Sequence, residues 1–174
     1  VSLYGQFVGE DEAGLLPAKK MYLAGMDYSS SYKNMPYQVY AEWADTTTNG
    51  NAEGISYNHH IYTDGYYQHG YPLAHAIGGD GEMVSVGGDI RFDPMNRLSG
   101  RALYAKVNQS GRLTNFAFPE NDKIKALDLT WTHYIKPSIP LKINGWVADS
   151  DLNGNDAGLS LGVELPLEKA MFGF

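Results

Sequence analysis

The sequence predicts an all-β fold: an antiparallel up-and-down transmembrane β-barrel, built as a single barrel segment over residues 1–174. Three observations predict it. Apolar and polar side chains alternate with a period of two through most of the chain, as in strands with one apolar face. Short and long connections between the predicted strands fall on opposite ends. Aromatic side chains lie near strand ends, as in the aromatic girdles of outer-membrane barrels.

Eight segments carry the alternation, which is clearest near the end of the chain, where Leu159 and Leu161 share one face. In a shorter segment, Leu103, Ala105 and Val107 form the predicted apolar face. The eight predicted strands span residues 2–9, 22–28, 37–43, 84–92, 103–107, 127–131, 141–147 and 157–167.

The polar positions of these strands carry charges of both signs. Such a face suits a cross-braced barrel interior better than a pore selective for one ion sign. A soluble β-sandwich or a lipocalin-like barrel has the same alternation with its apolar side chains inward, and it is the alternative fold. The predicted polar face contains Gln6, Glu42, Asp89, Arg91, Lys106, Asp128, Lys142 and Glu164.

The predicted connections differ in length according to the end of the sheet. Bacterial outer-membrane barrels combine short periplasmic turns with long outer loops, so residues 46–81 are predicted to form a long outer loop. The segment 55–62 is placed inside that loop, as a hairpin arm above the membrane. The long connections are 10–19, 46–81 and 110–122, the short ones are 31–35, 94–98 and 136–140, and 149–156 is a polar connection of medium length.

The composition excludes several classes of function. The net charge is −7 and the 13 Lys and Arg are scattered, which argues against a nucleic-acid partner. No apolar run reaches about 18 residues, so no transmembrane helix is expected. Cysteine is absent, which removes disulfide and thiolate chemistry.

Residues 57–81 concentrate groups that bind carbohydrate: tyrosine rings, which offer a large contact area at low entropic cost, and polar side chains that bond hydroxyls. The alternative is a loop held by its own aromatic packing. The predicted carbohydrate-binding residues are Tyr66, Tyr67, His69, Tyr71 and His75, with Asn115 and Phe116 from the loop 110–122.

Two other chemistries compete for the same loop. His59, His60, His69, His75 and Asp64 offer zinc ligands, although no recognised ligand spacing occurs among them. An outer-membrane lipid or lipopolysaccharide hydrolase that uses His59 or His60 requires a nucleophile within hydrogen-bond reach of the histidine. The candidate nucleophiles are Ser56 and Ser85.

Calcium is the one cofactor that a motif suggests. Asp149, Asp151 and Asn153 place side-chain oxygens at alternate positions before Gly154, like the opening of a calcium loop. The glutamate expected at the twelfth position is missing, and Ser160 stands there. A polar turn between two strands explains the same residues without a metal.

Four segments resemble the Wzi capsule-assembly family of Gram-negative bacteria. They are LYGQFVGEDE (3–12), KMYLAGMDY (20–28), YNHHIYTDG (57–65) and HAIGGDG (75–81). The resemblance implies an eighteen-stranded outer-membrane barrel with a helical plug, of which this chain is similar to the C-terminal portion. It also implies a surface lectin without catalytic activity.

The resemblance and the residues together predict a bacterial outer-membrane location. The expected partners are capsular polysaccharide and outer-membrane lipids, and no enzymatic reaction is expected. Capsular polysaccharide repeats its sugar units, so weak contacts from many copies are expected to add up to strong retention at the cell surface.

Overall fold

The computed structural model describes residues 1–13, 16–48, 54–59, 61–112 and 115–166, with only the backbone described over 10–13 and 16–18. No helix among these residues is long and apolar enough to cross a membrane. The strands of this part of the chain are β1 (Ser2–Ala13), β2 (Leu16–Tyr32), β3 (Met35–Asp45), β4 (Tyr67–Gln68), β5 (Tyr71–Pro72), β6 (Glu82–Asp93), β7 (Asn96–Val107), β8 (Asp122–Lys136), β9 (Ile139–Ser150) and β10 (Gly154–Val163).

The described strands form one eight-stranded sheet in the order β1-β2-β3-β6-β7-β8-β9-β10, and β4 and β5 form a separate small hairpin. Every neighbouring pair is antiparallel. The predicted all-β antiparallel meander of eight strands is therefore confirmed. Within the described residues the sheet is open, with β1 and β10 at its edges. Closure into a barrel, the strand number of that barrel and its crossing of a membrane stay predictions.

Short turns gather at one end of the sheet, as predicted. Lys33 and Asn34 join β2 to β3 with φ of 50° and 66°, the positive values that two-residue hairpin turns of the primed types require. Residues 94–95 join β6 to β7, where the Asp93 carboxylate accepts a hydrogen bond from the Met95 amide at 2.7 Å. Residues 137–138 join β8 to β9.

The opposite end departs from the prediction at residues 10–19. The long connection expected there is wrong, because β1 and β2 stay paired from Glu10↔Lys19 to Ala13↔Leu16. Pairing beyond an apolar band requires no alternation of apolar and polar residues, so the sequence of this hairpin carries no strand signal. The expected connection 149–156 is also shorter, since β9 and β10 are joined by residues 151–153 alone.

The placement of residues 55–62 within the long loop is confirmed, since their described part contains turns but no strand and residue 60 lies outside the described residues. The hairpin arm expected there is formed instead by β4 and β5.

The two faces of the sheet differ in polarity across β3 and β6–β10. One row of paired residues, Ala41, Val86, Ala102, Leu127, Val147 and Ala157, is apolar throughout and defines the outer face. A row on the opposite face, Gln38, Asp89, Ser99, Thr130, Asn144 and Ser160, is polar throughout and defines the inner face. Val86, Leu127 and Val147 are 43–52% exposed, so the outer face is uncovered.

The polar inner face is cross-braced, in agreement with the mixed charges read from the sequence. Arg97 pairs with Asp89 at 2.8 Å, and Lys142 pairs with Glu164. Asn144 donates a hydrogen bond to Asp128 at 2.8 Å.

The predicted polarity of residues 103–107 is wrong. Lys106 pairs with Glu82 on the outer face, whereas Leu103, Ala105 and Val107 lie on the inner face. Ala105 and Val107 are 3% and 0% exposed because the long loop packs over them. Because the loop covers this end of the inner face, the inward-facing residues here are apolar, whereas the inward-facing residues in the rest of the sheet are polar.

Candidate functional site

A buried hydrogen-bond network closes the base of the long loop. The Thr46 hydroxyl donates to the Gly78 carbonyl at 2.8 Å and accepts from the Gly81 amide at 3.0 Å. The Ser56 hydroxyl donates to the Thr46 carbonyl at 2.5 Å and accepts from the Asp80 amide at 2.9 Å. Both hydroxyl side chains are at most 4% exposed. Buried polar groups satisfied in this way hold a segment in one conformation.

Asp80 ties this loop to the next one. Its side chain accepts hydrogen bonds from the Ser110 amide at 2.7 Å and the Ser110 hydroxyl at 2.6 Å, and its carbonyl accepts from the Gln109 amide at 3.0 Å. Bonds to a carboxylate are stronger than those between neutral groups. The two connections at this end of the sheet therefore form one body.

The Gly78–Gly79 pair permits a close backbone approach. A side chain on Gly79 would overlap the carbonyl oxygen of Ser56, and Gly78 adopts a φ of 66° beside the Asn115 side chain. Ile77 precedes the pair and packs with Ala105 and Val107 in the apolar cluster below the loop. These contacts determine how closely the loop packs on the inner face of the sheet.

Tyr57 is the centre of the aromatic part of the loop. Its ring lies 5.8 Å from those of Tyr66 and Tyr67, and its hydroxyl accepts a hydrogen bond from the His75 amide at 2.8 Å. Burial raises the pKa of the Tyr57 phenol, and the bond from the His75 amide opposes that shift. The phenol therefore stays neutral and acts as a fixed acceptor.

Tyr67 and Asn115 form an internal bracket behind this centre. The Tyr67 hydroxyl donates to Asn115 Oδ1 at 3.3 Å and accepts from the Gly79 amide at 2.9 Å. Asn115 Nδ2 donates to the carbonyls of Ile77 and Gly79 at 3.1 and 2.6 Å. Tyr67 is 6% exposed and Asn115 is 1% exposed, so both side chains hold the loop together from inside.

A pocket of about 570 Å³ opens between this loop and the inner face of β1 and β2. Aromatic side chains and hydrogen-bonding side chains meet in it, which is the composition expected of a site that orients a polar ligand with apolar faces. Tyr62 and Tyr66 are 71% and 54% exposed, so their rings are accessible. Seven of the residues that contribute these groups are Gln6, Tyr57, Asn58, His59, Tyr62, Tyr66 and His75.

His75 contributes a neutral imidazole to this pocket. Burial lowers the pKa of His75, and the Glu42 carboxylate on the inner face of β3 partly offsets the shift. Its Nδ1 accepts a hydrogen bond from the Ile77 amide at 3.4 Å. An uncharged ring with apolar faces suits a neutral ligand such as a sugar.

The structure separates the seven residues proposed from the sequence. Tyr66 and His75 line the pocket. Tyr67 and Asn115 are buried behind it, as described above. His69 and Tyr71 lie on the exposed β4–β5 hairpin, and Phe116 packs edge-on against the Tyr67 ring at 5.3 Å; none of these three is among the pocket residues.

Five of these seven pocket residues were not proposed for carbohydrate binding from the sequence. Tyr57, Asn58, His59 and Tyr62 belong to the segment 57–81 that the sequence singles out, so their enrichment signal was present. Gln6 lies on β1, and its only signal was its place on the polar face. The contact between β1 and the loop joins residues more than 50 positions apart and leaves no local pattern.

The suggested calcium residues form a tight turn. Gly154 has a φ of 74°, and the Asn153 amide donates to the Ser150 hydroxyl at 2.9 Å. Asp149 and Asp151 pair with lysines on β8 at 3.5 and 3.7 Å. Among the described residues, no three carboxylate, imidazole or thiol side chains converge to hold a metal ion. Calcium binding at this turn stays a prediction.

The contacts of the serines give no support to the hydrolase alternative. Ser56 is fully buried, and both of its hydroxyl bonds belong to the loop base. Ser85 is 4% exposed on β6. His59 Nδ1 accepts from the Ile61 and Tyr62 amides at 3.1 and 3.4 Å, and its ring lies 5.0 Å from that of Tyr62. His60 lies outside the described residues.

Comparison with known proteins identifies the family. Residues 1–160 match the family described as capsule assembly protein Wzi. The chain is 40% identical over 167 residues to an uncharacterized 55.8 kDa protein in the cps region of Klebsiella pneumoniae, and this match covers 95% of the chain and 33% of that protein.

A solved structure shares the fold. It is that of Wzi, an outer-membrane protein involved in group 1 capsule assembly in Escherichia coli and a carbohydrate-binding β-barrel. The TM-score is 0.84 at 39% sequence identity, and the match covers 95% of this chain and 38% of that one. The chain thus spans about a third of the length of the relatives it matches. The predicted family is confirmed: this chain belongs to the Wzi capsule assembly family.

Proposed function

We propose that this chain is part of an outer-membrane β-barrel that binds capsular polysaccharide non-covalently at its loop end and holds it at the cell surface without cleaving it. The pocket of about 570 Å³ is the observation that carries the proposal. It joins accessible tyrosine rings to amide and imidazole groups in one braced cavity. The carbohydrate binding and capsule role of the Escherichia coli relative support the same conclusion.

The physical basis of recognition is the amphipathic character of a sugar ring. Its C–H face packs on an aromatic ring, and its hydroxyls bond to polar groups around the rim. Tyr66 and Tyr62 supply accessible rings, and Asn58 and Gln6 supply amides that both donate and accept. Because the Thr46, Ser56 and Asp80 network already fixes the loop, little conformational entropy is lost on binding.

The orientation follows from the two faces of the sheet. The exposed apolar outer face suits contact with lipid, and the cross-braced polar face suits an enclosed interior. The sheet of the described residues ends at β1 and β10, and the backbone groups along an edge strand cannot remain unpaired inside a bilayer. In the proposed barrel both edges pair with further strands, and a strand beside β1 extends the wall of the pocket.

Retention of a long polymer requires no tight single site. A capsule polymer presents the same sugar unit many times to many copies of the protein, so modest affinities combine into strong retention. The proposal therefore expects weak binding of a single repeat unit and much stronger binding of the polymer.

Two tyrosines of the same loop give a matched test. Tyr66 lines the pocket, whereas Tyr71 is 76% exposed on the β4–β5 hairpin and is not among the pocket residues. The intact protein and its Tyr66→Ala and Tyr71→Ala variants are titrated with a short oligosaccharide of the capsule, which removes the contribution of multivalency. Truncation of a contact tyrosine costs about 1–2 kcal/mol, so Tyr66→Ala should bind roughly 5- to 30-fold more weakly and Tyr71→Ala should bind normally.

The outcomes separate the proposal from its alternatives. Equal affinity of all three proteins, or a loss confined to Tyr71→Ala, would contradict the pocket assignment. Incubation of the polymer with the protein should leave its molecular mass and its ester groups unchanged. Shortening or de-esterification of the polymer would contradict binding without catalysis.

A further inference from the structure

A second surface lies on the outer face, where the apolar rows of β7–β10 meet charged residues at the loop end of the strands. The register places Ala102, Leu127, Val147 and Ala157 side by side in one row. The next outward-facing row toward the loops contains Tyr104, Lys125, Asp149 and Asn155. Polarity thus changes from fully apolar to polar within about 7 Å along the strands, the spacing of two residues.

A shallow groove of about 690 Å³ runs along this boundary. Its outward-facing lining comes from both rows, with Leu127 and Val147 on the apolar side and Lys125, Asp149 and Asn155 on the polar side. The groove is open at the alanine positions Ala102 and Ala157, whose small side chains leave room between the larger ones. An elongated apolar group with a polar head fits this lining.

Three lysines gather above the groove. Lys106 and Lys123 are directly opposite each other on β7 and β8, and Lys125 is two residues further along β8. Like charges directly opposite each other destabilise a sheet unless an anion screens them. Each lysine has a carboxylate nearby: Lys106 lies 3.4 Å from Glu82, Lys123 lies 3.7 Å from Asp151, and Lys125 lies 3.5 Å from Asp149.

The two ion pairs of Lys123 and Lys125 are long and exposed to solvent. The side chains of Lys123 and Lys125 are 54% and 65% exposed, and those of Asp151 and Asp149 are 59% and 50% exposed. Such surface pairs contribute little to stability. The lysines can therefore exchange these carboxylates for a phosphate at the mouth of the groove.

We propose that this groove binds a phosphorylated membrane lipid, with acyl chains along the apolar row and a phosphate between Lys106, Lys123 and Lys125. The proposal rests on the lipid-facing orientation argued under the proposed function. Lysines at the upper border of an apolar band reach the level of lipid headgroups, where each one adds to the attraction of an anionic lipid. The polysaccharide pocket lies on the other face of the sheet, so the two ligands bind independently.

The test uses the intact protein in phosphatidylcholine nanodiscs that contain a small fraction of diphosphorylated lipid A, with dephosphorylated lipid A as the comparison. Lipid retained by the protein is measured by native mass spectrometry. Lys123→Gln/Lys125→Gln removes two lysines of the patch. Lys33→Gln/Lys136→Gln removes two exposed lysines at the short-turn end and is the matched control.

The expected result is preferential retention of the phosphorylated lipid, weakened about tenfold in the Lys123/Lys125 variant and unchanged in the control. Equal retention of both lipids, or an equal loss in both variants, overturns the proposal. Displacement by inorganic phosphate as effective as displacement by the lipid also overturns it, because the apolar row then plays no part. A protein that enters nanodiscs normally yet shows no preference refutes only this proposal, whereas one that does not enter them refutes the proposed orientation as well.

Discussion

Replacement of Asp80 by alanine should open the long loop without unfolding the sheet. Asp80 is 3% exposed, and its carboxylate accepts hydrogen bonds from the Ser110 amide and hydroxyl at 2.7 and 2.6 Å. A hydrogen bond to a charged group contributes about 1.5–3 kcal/mol. Ser110 is itself exposed, so water replaces part of what is lost. The expected cost for the two bonds together is therefore about 2–3 kcal/mol.

That cost applies to local opening, because both hydrogen bonds of the carboxylate join the long loop to Ser110 of the neighbouring loop. A loss of about 2–3 kcal/mol corresponds to roughly 30- to 140-fold faster exchange of the amides that the closed loop protects. These amides include those of Thr46 and Asp80, which donate to the Gly81 and Thr46 carbonyls at 2.8 and 3.1 Å. Hydrogen exchange followed by mass spectrometry of the intact protein measures the rates.

Asp64→Ala is the matched control, since Asp64 belongs to the same loop and is exposed. It should leave the exchange rates of Thr46 and Asp80 unchanged, and the amides of β8 and β9 should exchange at wild-type rates in both variants. Acceleration of less than about threefold in Asp80→Ala would refute the argument that this carboxylate locks the loop. Acceleration throughout β8 and β9 would show that the loop and the sheet open together.

Two further predictions concern the loop and its pocket. Gly79→Ala should disorder the loop and weaken oligosaccharide binding at least about tenfold, because the added methyl group would overlap the Ser56 carbonyl. Gly162→Ala is the control, since a methyl group there meets open space, and this variant should bind normally. Equal binding by both variants would contradict the prediction. Because burial lowers the pKa of His75, the unfolded loop takes up protons more readily than the folded one. The folded loop is therefore most stable above about pH 6.5, and it loses stability as the pH falls from there toward the lower pKa of His75 in the folded loop. Oligosaccharide affinity should fall over the same pH range in the wild type and should not change with pH in His75→Asn.

The sheet was predictable because its strands obey a local rule. Alternation with a period of two requires only that one face be apolar, and a single strand displays it. The prediction from alternation failed where a strand no longer has one apolar face and one polar face in the expected order. Residues 10–13 and 16–19 continue a hairpin beyond the apolar band, and Leu103, Ala105 and Val107 form an apolar floor under the loop. In both places, what contacts the faces of the strand changes along its length. The residue pattern of a single strand does not reveal such a change.

The site was predictable in composition and not in geometry. The sequence identified the loop that holds the tyrosines and histidines, yet adjacent residues in it have opposite roles. Tyr66 is the last residue of a turn and Tyr67 is the first residue of β4, so the two neighbours lie in different environments. One of them is 54% exposed at the pocket, and the other is 6% exposed against Asn115. Which of the two faces the pocket depends on Ile77, whose contact with Ala105 and Val107 sets how the loop lies on the sheet. The inward-facing apolar residues of β7 therefore help to decide which tyrosine faces the pocket, through tertiary packing between segments more than 30 residues apart.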